Sequence, residues 1–191
     1  MLIDDFHPSV LLQVSYPTSH RSVDLGNTLE PSNAKSAPLI EIHQSSTDPS
    51  TTSPKDTTYT IALTDPDAPS RENPEWSEFC HWITTNIPPA SSPNGHETKQ
   101  AANIDAGRIQ AEIQTTAKRL KDIVEYKGPA PPKGTGKHRA KGGSNNNNLT
   151  TPSERKRWGL GKARHGVRQW AEENKLEPVG ANFFYAQNDK Q

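Results

Sequence analysis

The stretch Leu63-Thr-Asp-Pro-Asp-Ala-Pro-Ser-Arg71 is the most informative part of this 191-residue sequence. Alternating apolar residues lead into it and predict a strand over 59–65, with Tyr59, Ile61 and Leu63 on one face. The two prolines that follow cannot donate to a sheet ladder, so the chain has to leave the sheet after Asp65. The strand therefore ends on a turn that carries two carboxylates.

Further strands are predicted on both sides of this one. The two-residue period predicts strands over 10–16, 39–42 and 78–86, and it predicts a final buried strand over 181–186. In the 78–86 strand, Phe79, His81 and Ile83 are expected on one face and Cys80 and Trp82 on the other. A helix is predicted over 166–176 from apolar residues at 167, 170 and 171. Because strands dominate and helix comes late, the pattern favours a β-rich domain with peripheral helices over a doubly wound α/β fold.

The composition restricts the class of protein. Leu, Ile, Val and Phe make up only about 16% of the chain, but 22 basic and 22 acidic side chains balance, so one folded domain over 1–191 is expected. The 12 glycines and 17 prolines predict many loops, the longest at about 43–57 and 140–152. No apolar run reaches the roughly 18 residues of a transmembrane segment, and zero net charge removes the simplest argument for nucleic acid binding. The acidic start and the single cysteine predict a cytoplasmic protein.

A second informative stretch is Gly128-Pro-Ala-Pro-Pro-Lys-Gly-Thr-Gly-Lys-His-Arg139. Its prolines make the backbone rigid, and its glycines allow the backbone to approach a ligand closely. Together with the first stretch and His81, it resembles the two signature blocks of the phosphatidylethanolamine-binding protein family. The resemblance extends from about Phe6 to Asn188.

That resemblance implies an antiparallel β-sandwich with peripheral helices and a small anion-binding pocket at one end. The pocket residues that it implies are Asp65, Asp67, Ala68, Pro69, His81, Gly128, Pro131, Pro132 and His138. Two imidazoles and a glycine amide can donate hydrogen bonds to a phosphate or a carboxylate. Asp65 is expected to hold an imidazole in one tautomer.

The expected function is that of a non-enzymatic, regulatory binding protein without a cofactor. Its ligand would be a phospholipid head group or another small anion on a phosphorylated or carboxylate-bearing partner, such as a signalling protein. The fungal branch of the family, which this chain resembles, also includes inhibitors of the vacuolar serine carboxypeptidase Y. A protein–protein inhibitory surface is therefore the alternative, although only residues 1–8 precede the first predicted strand.

Other interpretations of the same residues are weaker. A nucleophilic pair of Cys80 and His81 is disfavoured because adjacent strand residues point to opposite faces. A serine hydrolase would need a Gly-x-Ser-x-Gly elbow, which the sequence lacks. A metal site from two histidines and two aspartates is chemically feasible, but the spacing matches no metal motif. The basic cluster Arg155-Lys-Arg157 beside Trp158 is interpreted as a solvated surface.

The sequence departs from the family pattern after Arg139. Members of the family continue there into a strongly apolar strand with an aromatic first residue, whereas here Ala140 is followed by Lys-Gly-Gly-Ser and four asparagines. One sheet strand is therefore predicted to be missing, which would leave neighbouring strand edges unpaired. The pocket would also lose a tyrosine hydroxyl at position 140.

Overall fold

A computed structural model describes residues 7–44, 58–88, 120–131, 138–139, 149–163 and 165–188, and for 138–139 it describes the backbone alone. The strands are β1 (Val10–Tyr16), β2 (Arg21–Ser22), β3 (Thr28–Leu29), β4 (Leu39–Gln44), β5 (Tyr59–Asp65), β6 (Phe79–Ile87), β7 (Lys121–Val124), β8 (His138–Arg139) and β9 (Tyr185–Ala186). The helix is α1 (Gly166–Glu173), and short 3₁₀ helices span Pro17–Ser19, Pro31–Ala34 and Lys156–Gly159.

These strands form three small sheets. In the first, β1 pairs antiparallel with both β2 and β4. In the second, β6 pairs antiparallel with both β5 and β7. In the third, β9 pairs parallel with β3 and antiparallel with β8. The predicted β-rich class with peripheral helical elements is confirmed.

Apolar side chains cover both faces of the β5–β6–β7 sheet. The face toward β1 and β4 carries the larger core, which includes Leu12, Val14, Tyr16, Ile40, Ile42, Ile61, Trp82 and Phe184. The opposite face carries a second core against α1 and the Lys156–Gly159 helix, formed by Ala62, Cys80, Ile83, Val124, Trp158, Trp170 and Leu176. Because both faces are covered, β5 is buried along nearly its whole length.

The strongest strand predictions are confirmed, and the weaker ones shift. The predicted bounds of β1 and β5 match the structure residue for residue. β4 continues two residues past Ile42, because the pairing with β1 extends to the Val10↔Gln44 pair. The loop predicted at 43–57 therefore begins too early, and residues 45–57 lie outside the described residues.

The C-terminal predictions are confirmed in part. The strand predicted over 181–186 is reduced to β9, since Asn182 hydrogen-bonds the carbonyls of Leu12 and Val23 through its own side chain. The helix ends at Glu173 rather than 176, where the Asn174 side-chain amide donates to the Trp170 carbonyl at 2.7 Å.

The face assignment in β6 is confirmed for Phe79 and His81, whose rings pack together, but it is wrong for the residues beyond them, and a β-bulge is the reason. Leu63 pairs with Trp82 while Thr64 pairs with Cys80, so His81 is an extra residue in the ladder. Strict alternation breaks at this point. Cys80 and Ile83 consequently share one core, and Trp82 lies in the other.

The strand predicted to be missing after Arg139 falls on residues outside the described part of the chain. The described part of β8 is His138–Arg139, and residues 140–148 lie outside the described residues. In the described part of the chain, β5 is an edge strand whose paired neighbour is β6. Residues 149–152, the end of the predicted 140–152 loop, form neither helix nor strand. No helix in the described ranges is long and apolar enough to cross a membrane.

Candidate functional site

The first part of the candidate site is the turn at the end of β5. Asp65 is buried, with 5% of its surface exposed, and its Oδ1 accepts the N–H of Asp67 at 2.8 Å. This is an Asx turn, in which the carboxylate replaces a backbone acceptor. The Asp67 carboxylate instead pairs with Arg71 at 3.3 Å. The two aspartates thus have different roles, and Asp65 is the one next to His81.

The loop after this turn folds back toward the start of β6. Ala68 is buried, Pro69 is half-buried, and the peptide bond between them is cis. The Ala68 carbonyl accepts the N–H of Trp76 at 3.0 Å. This hydrogen bond holds the Ala68–Pro69 loop beside the strand that carries His81.

His81 lies in the β6 bulge and is 6% exposed. Its Nδ1 lies 2.6 Å from the carbonyl oxygen of Lys127, and because a carbonyl only accepts, Nδ1 carries the proton. Its Nε2 lies 4.0 Å from Oδ2 of Asp65, which is too long for a hydrogen bond but close enough for an ion pair once the ring is protonated. The Lys127 carbonyl therefore fixes the tautomer, a role that the sequence assigned to Asp65.

An aromatic ring packs on His81, and an ammonium group lies near that ring. The Phe79 ring packs on the imidazole, with 4.9 Å between ring centroids. The Lys127 ammonium lies 5.7 Å from the centroid of the Phe79 ring. Lys127 is exposed, Phe79 is half-buried and His81 is buried.

The remaining predicted residues lie on the segment that follows β7 and on β8. Gly128 is packed so closely that an added Cβ would lie 2.5 Å from the Ala34 carbonyl oxygen. Pro131 is buried, and Pro132 lies outside the described residues. His138 is placed by its backbone, which pairs with Ala186 in β9, and β8 comes within 8 Å of β5 between Cα atoms.

Comparison with known proteins identifies the family. The family model described as phosphatidylethanolamine-binding protein matches residues 19–184. The chain belongs to the phosphatidylethanolamine-binding protein family.

Individual members of the phosphatidylethanolamine-binding protein family show how far this similarity extends. The carboxypeptidase Y inhibitor of Saccharomyces cerevisiae is 35% identical over 196 residues, covering 95% of this chain and 86% of the relative. The crystal structure of carboxypeptidase Y inhibitor complexed with the cognate proteinase matches with a TM-score of 0.72 and 32% identity, covering 96% of this chain and 86% of that one. A phosphatidylethanolamine-binding protein from Plasmodium vivax, 22% identical, matches in fold with a TM-score of 0.67, covering 97% and 88%.

In this family member, Arg155 binds main-chain carbonyls around His81, a role that the sequence did not reveal. Its guanidinium donates to the carbonyls of Cys80 at 3.2 Å, His81 at 3.0 Å and Glu125 at 2.8 Å. Arg157 likewise donates through Nε to the Glu75 carbonyl at 2.8 Å. Lys156 and Arg157 are exposed, as the interpretation of this basic cluster as a solvated surface predicts, but that interpretation is wrong for the half-buried Arg155. Its main-chain acceptors are far away in sequence and therefore leave no local pattern.

Two alternative chemistries can be judged from the same geometry. Burial raises the pKa of the Cys80 thiol from 9.0 to about 12, against a smaller opposite effect of the Arg155 charge. The thiol is thus protonated near neutral pH and does not form a nucleophile with His81. Among the described residues, no group of three or more His, Cys, Asp or Glu side chains could hold a metal ion.

Proposed function

We propose that this protein is a non-catalytic binding protein that recognises an anionic group beside His81. The observation that carries the proposal is the fixed imidazole: Nδ1–H is held by the Lys127 carbonyl, and Nε2 lies 4.0 Å from Oδ2 of Asp65. Protonation of Nε2 creates a buried donor with a positive charge, which a phosphate or carboxylate oxygen can accept. The ligand class is a phospholipid head group or the phosphate or carboxylate of a protein partner.

The surroundings of His81 support binding rather than bond cleavage. The thiol next to it in sequence is buried and protonated, so it offers no nucleophile. The exposed Lys127 ammonium adds positive charge near the Phe79 ring that packs on the imidazole.

Calorimetric titration tests this proposal. Inorganic phosphate and a short-chain phosphatidylethanolamine are the two probes, because they separate recognition of the phosphate itself from recognition of the whole head group. His81→Ala should weaken binding at least tenfold, because it removes the proposed donor. His43→Ala is the matched control, because His43 lies on β4 in another sheet. This variant should bind like the wild type. Equal affinities of the His81→Ala variant and the wild type would exclude the pocket assignment.

A second candidate function is inhibition of a serine carboxypeptidase through a protein–protein surface. It is favoured by the 35% identity with the yeast carboxypeptidase Y inhibitor and by the similarity to the inhibitor structure in complex with its proteinase. This function predicts inhibition of yeast carboxypeptidase Y that persists in the His81→Ala variant. Full peptidase activity in the presence of micromolar protein would rule it out.

A further inference from the structure

We propose that Arg155 is a positioning residue for the anion site, because it holds together the two backbone segments that fix the His81 imidazole. This inference rests on the proposed anion-binding function. The two segments are the β6 bulge at Cys80 and His81 and the segment 125–128, whose Lys127 carbonyl accepts the imidazole proton.

These two segments meet beyond the end of regular strand pairing. The β6–β7 pairing runs from Thr85↔Lys121 to Ile83↔Val124, so the last paired residue of β6 is two positions away from His81. Beyond that point, the Lys127 N–H donates to the His81 carbonyl at 2.8 Å. This bond and the His81 Nδ1–H bond to the Lys127 carbonyl join the two segments at residues 81 and 127, and a precisely held binding group needs support from the residues around it.

The Arg155 guanidinium supplies the missing connection. Nη1 donates to the Cys80 and His81 carbonyls on the bulge, and Nη2 donates to the Glu125 carbonyl on the other segment. In return, the Cys80 N–H donates to the Arg155 carbonyl at 2.8 Å. A planar guanidinium can bridge these acceptors in one fixed geometry, whereas the single ammonium group of a lysine cannot.

The residues after Arg155 anchor it to the rest of the site. The Arg157 N–H donates to the Trp76 carbonyl at 3.1 Å, and Trp158 Nε1 donates to the Thr64 hydroxyl, directly before Asp65, at 3.1 Å. Arg157 and Trp158 both have positive φ values, of 50° and 49°, which bulky L residues rarely adopt. Such a backbone persists only where its surroundings determine it strongly.

The test combines a spectroscopic readout with a binding readout. Arg155→Met removes the bridge. Lys156→Met is the control, because it removes a neighbouring cation that does not bridge the two segments: its ammonium lies 4.0 Å from the Trp76 ring centroid. The protein is labelled with ¹⁵N-histidine, and the His81 ring nitrogens are assigned by their loss in His81→Ala. Phosphate affinity is measured by calorimetry on the same samples.

In the wild type and in Lys156→Met, the neutral His81 ring should show one tautomer, with the proton on Nδ1. In Arg155→Met it should show a mixture of tautomers. Phosphate affinity should fall about tenfold, by analogy with the low end of the cost of losing an outer-shell partner of a metal-binding histidine. Wild-type tautomer and affinity in Arg155→Met would overturn the inference, as would an equal loss of affinity in Lys156→Met.

Two further outcomes are distinguishable. If Arg155→Met does not fold, Arg155→Lys repeats the test with the charge kept, and the same mixture of tautomers with weaker binding is expected. If the wild type does not bind phosphate or phosphatidylethanolamine, the proposed function fails, while the His81 tautomer in the Arg155 variants still decides whether Arg155 positions the ring.

Discussion

Replacing Gly128 by alanine is the most direct test of how tightly the candidate site is packed. The new Cβ would lie 2.5 Å from the Ala34 carbonyl oxygen and 3.4 Å from the Cα of Lys35, and both of these are backbone atoms. Because real Cβ contacts below 3.0 Å are essentially absent, one backbone has to move by about 0.5 Å. Ala34 is fully buried, and its carbonyl also accepts the Tyr126 hydroxyl at 2.7 Å, so it is not free to move.

The expected cost follows from this steric conflict. Forcing an extra methyl group into a packed interior costs about 1–3 kcal/mol. For a chain of this size each kcal/mol lowers Tm by about 2–4 °C, so the Tm of Gly128→Ala should fall by about 2–12 °C. Since the carbonyl that binds His81 belongs to Lys127, the adjacent residue, phosphate affinity should fall as well.

Thermal unfolding followed by circular dichroism, together with phosphate calorimetry, measures both effects. Gly161→Ala is the matched control, because Gly161 has a positive φ of 72° and no atom within 4 Å of an added Cβ. It should lose about 1 kcal/mol of stability through backbone strain alone and keep its phosphate affinity. The packing argument is refuted if the Tm of Gly128→Ala lies within about 1 °C of the wild-type Tm, which is about the error of such scans, and the variant binds phosphate equally well.

Two further substitutions and a thiol-labelling experiment probe the surroundings of the site. Trp158→Phe removes the donor to the Thr64 hydroxyl, and urea unfolding should show a loss of about 1–3 kcal/mol; a midpoint equal to that of the wild type would contradict this. Glu78→Ala removes the buried carboxylate that accepts the Val167 N–H at 3.0 Å in the first turn of α1. The free energy of unfolding should fall by about 1–2 kcal/mol. An unchanged free energy would mean that this contact is not formed. The Cys80 thiol should resist a disulfide reagent at about pH 8 until urea is added, and rapid labelling of the native protein would argue against its burial. Because folding raises the pKa of this thiol from 9.0 to about 12, its contribution to stability is complete below pH 9 and is lost as the pH rises toward 12.

Local patterns in the sequence were sufficient for much of the sheet framework. β1 and β5 were predicted to the residue because each alternates apolar and polar or small side chains over seven positions, and turn residues bound them. The turn after Asp65 followed from its two prolines. The identity of the family also came from short motifs, and the match of the family model to residues 19–184 confirms it.

The predictions failed where a residue depends on partners far away in the chain. The β6 bulge at His81 comes from its register with β5, which no two-residue period encodes. The role of Arg155 depends on carbonyls 74 and 75 positions away, and an arginine in a basic cluster looks the same whether it is solvated or bridging.

By itself, the sequence predicted the residues of an anion site: an aspartate at the end of a strand, a strand histidine and a glycine-proline segment. Only the tertiary structure decided how these residues are held. It places the Lys127 carbonyl, rather than Asp65, on the His81 Nδ1–H, and it brings Gly128 against the Ala34 backbone. The physical reason is that hydrogen-bonding capacity belongs to each residue type, whereas the partner of each group is set by which strands and loops pack together.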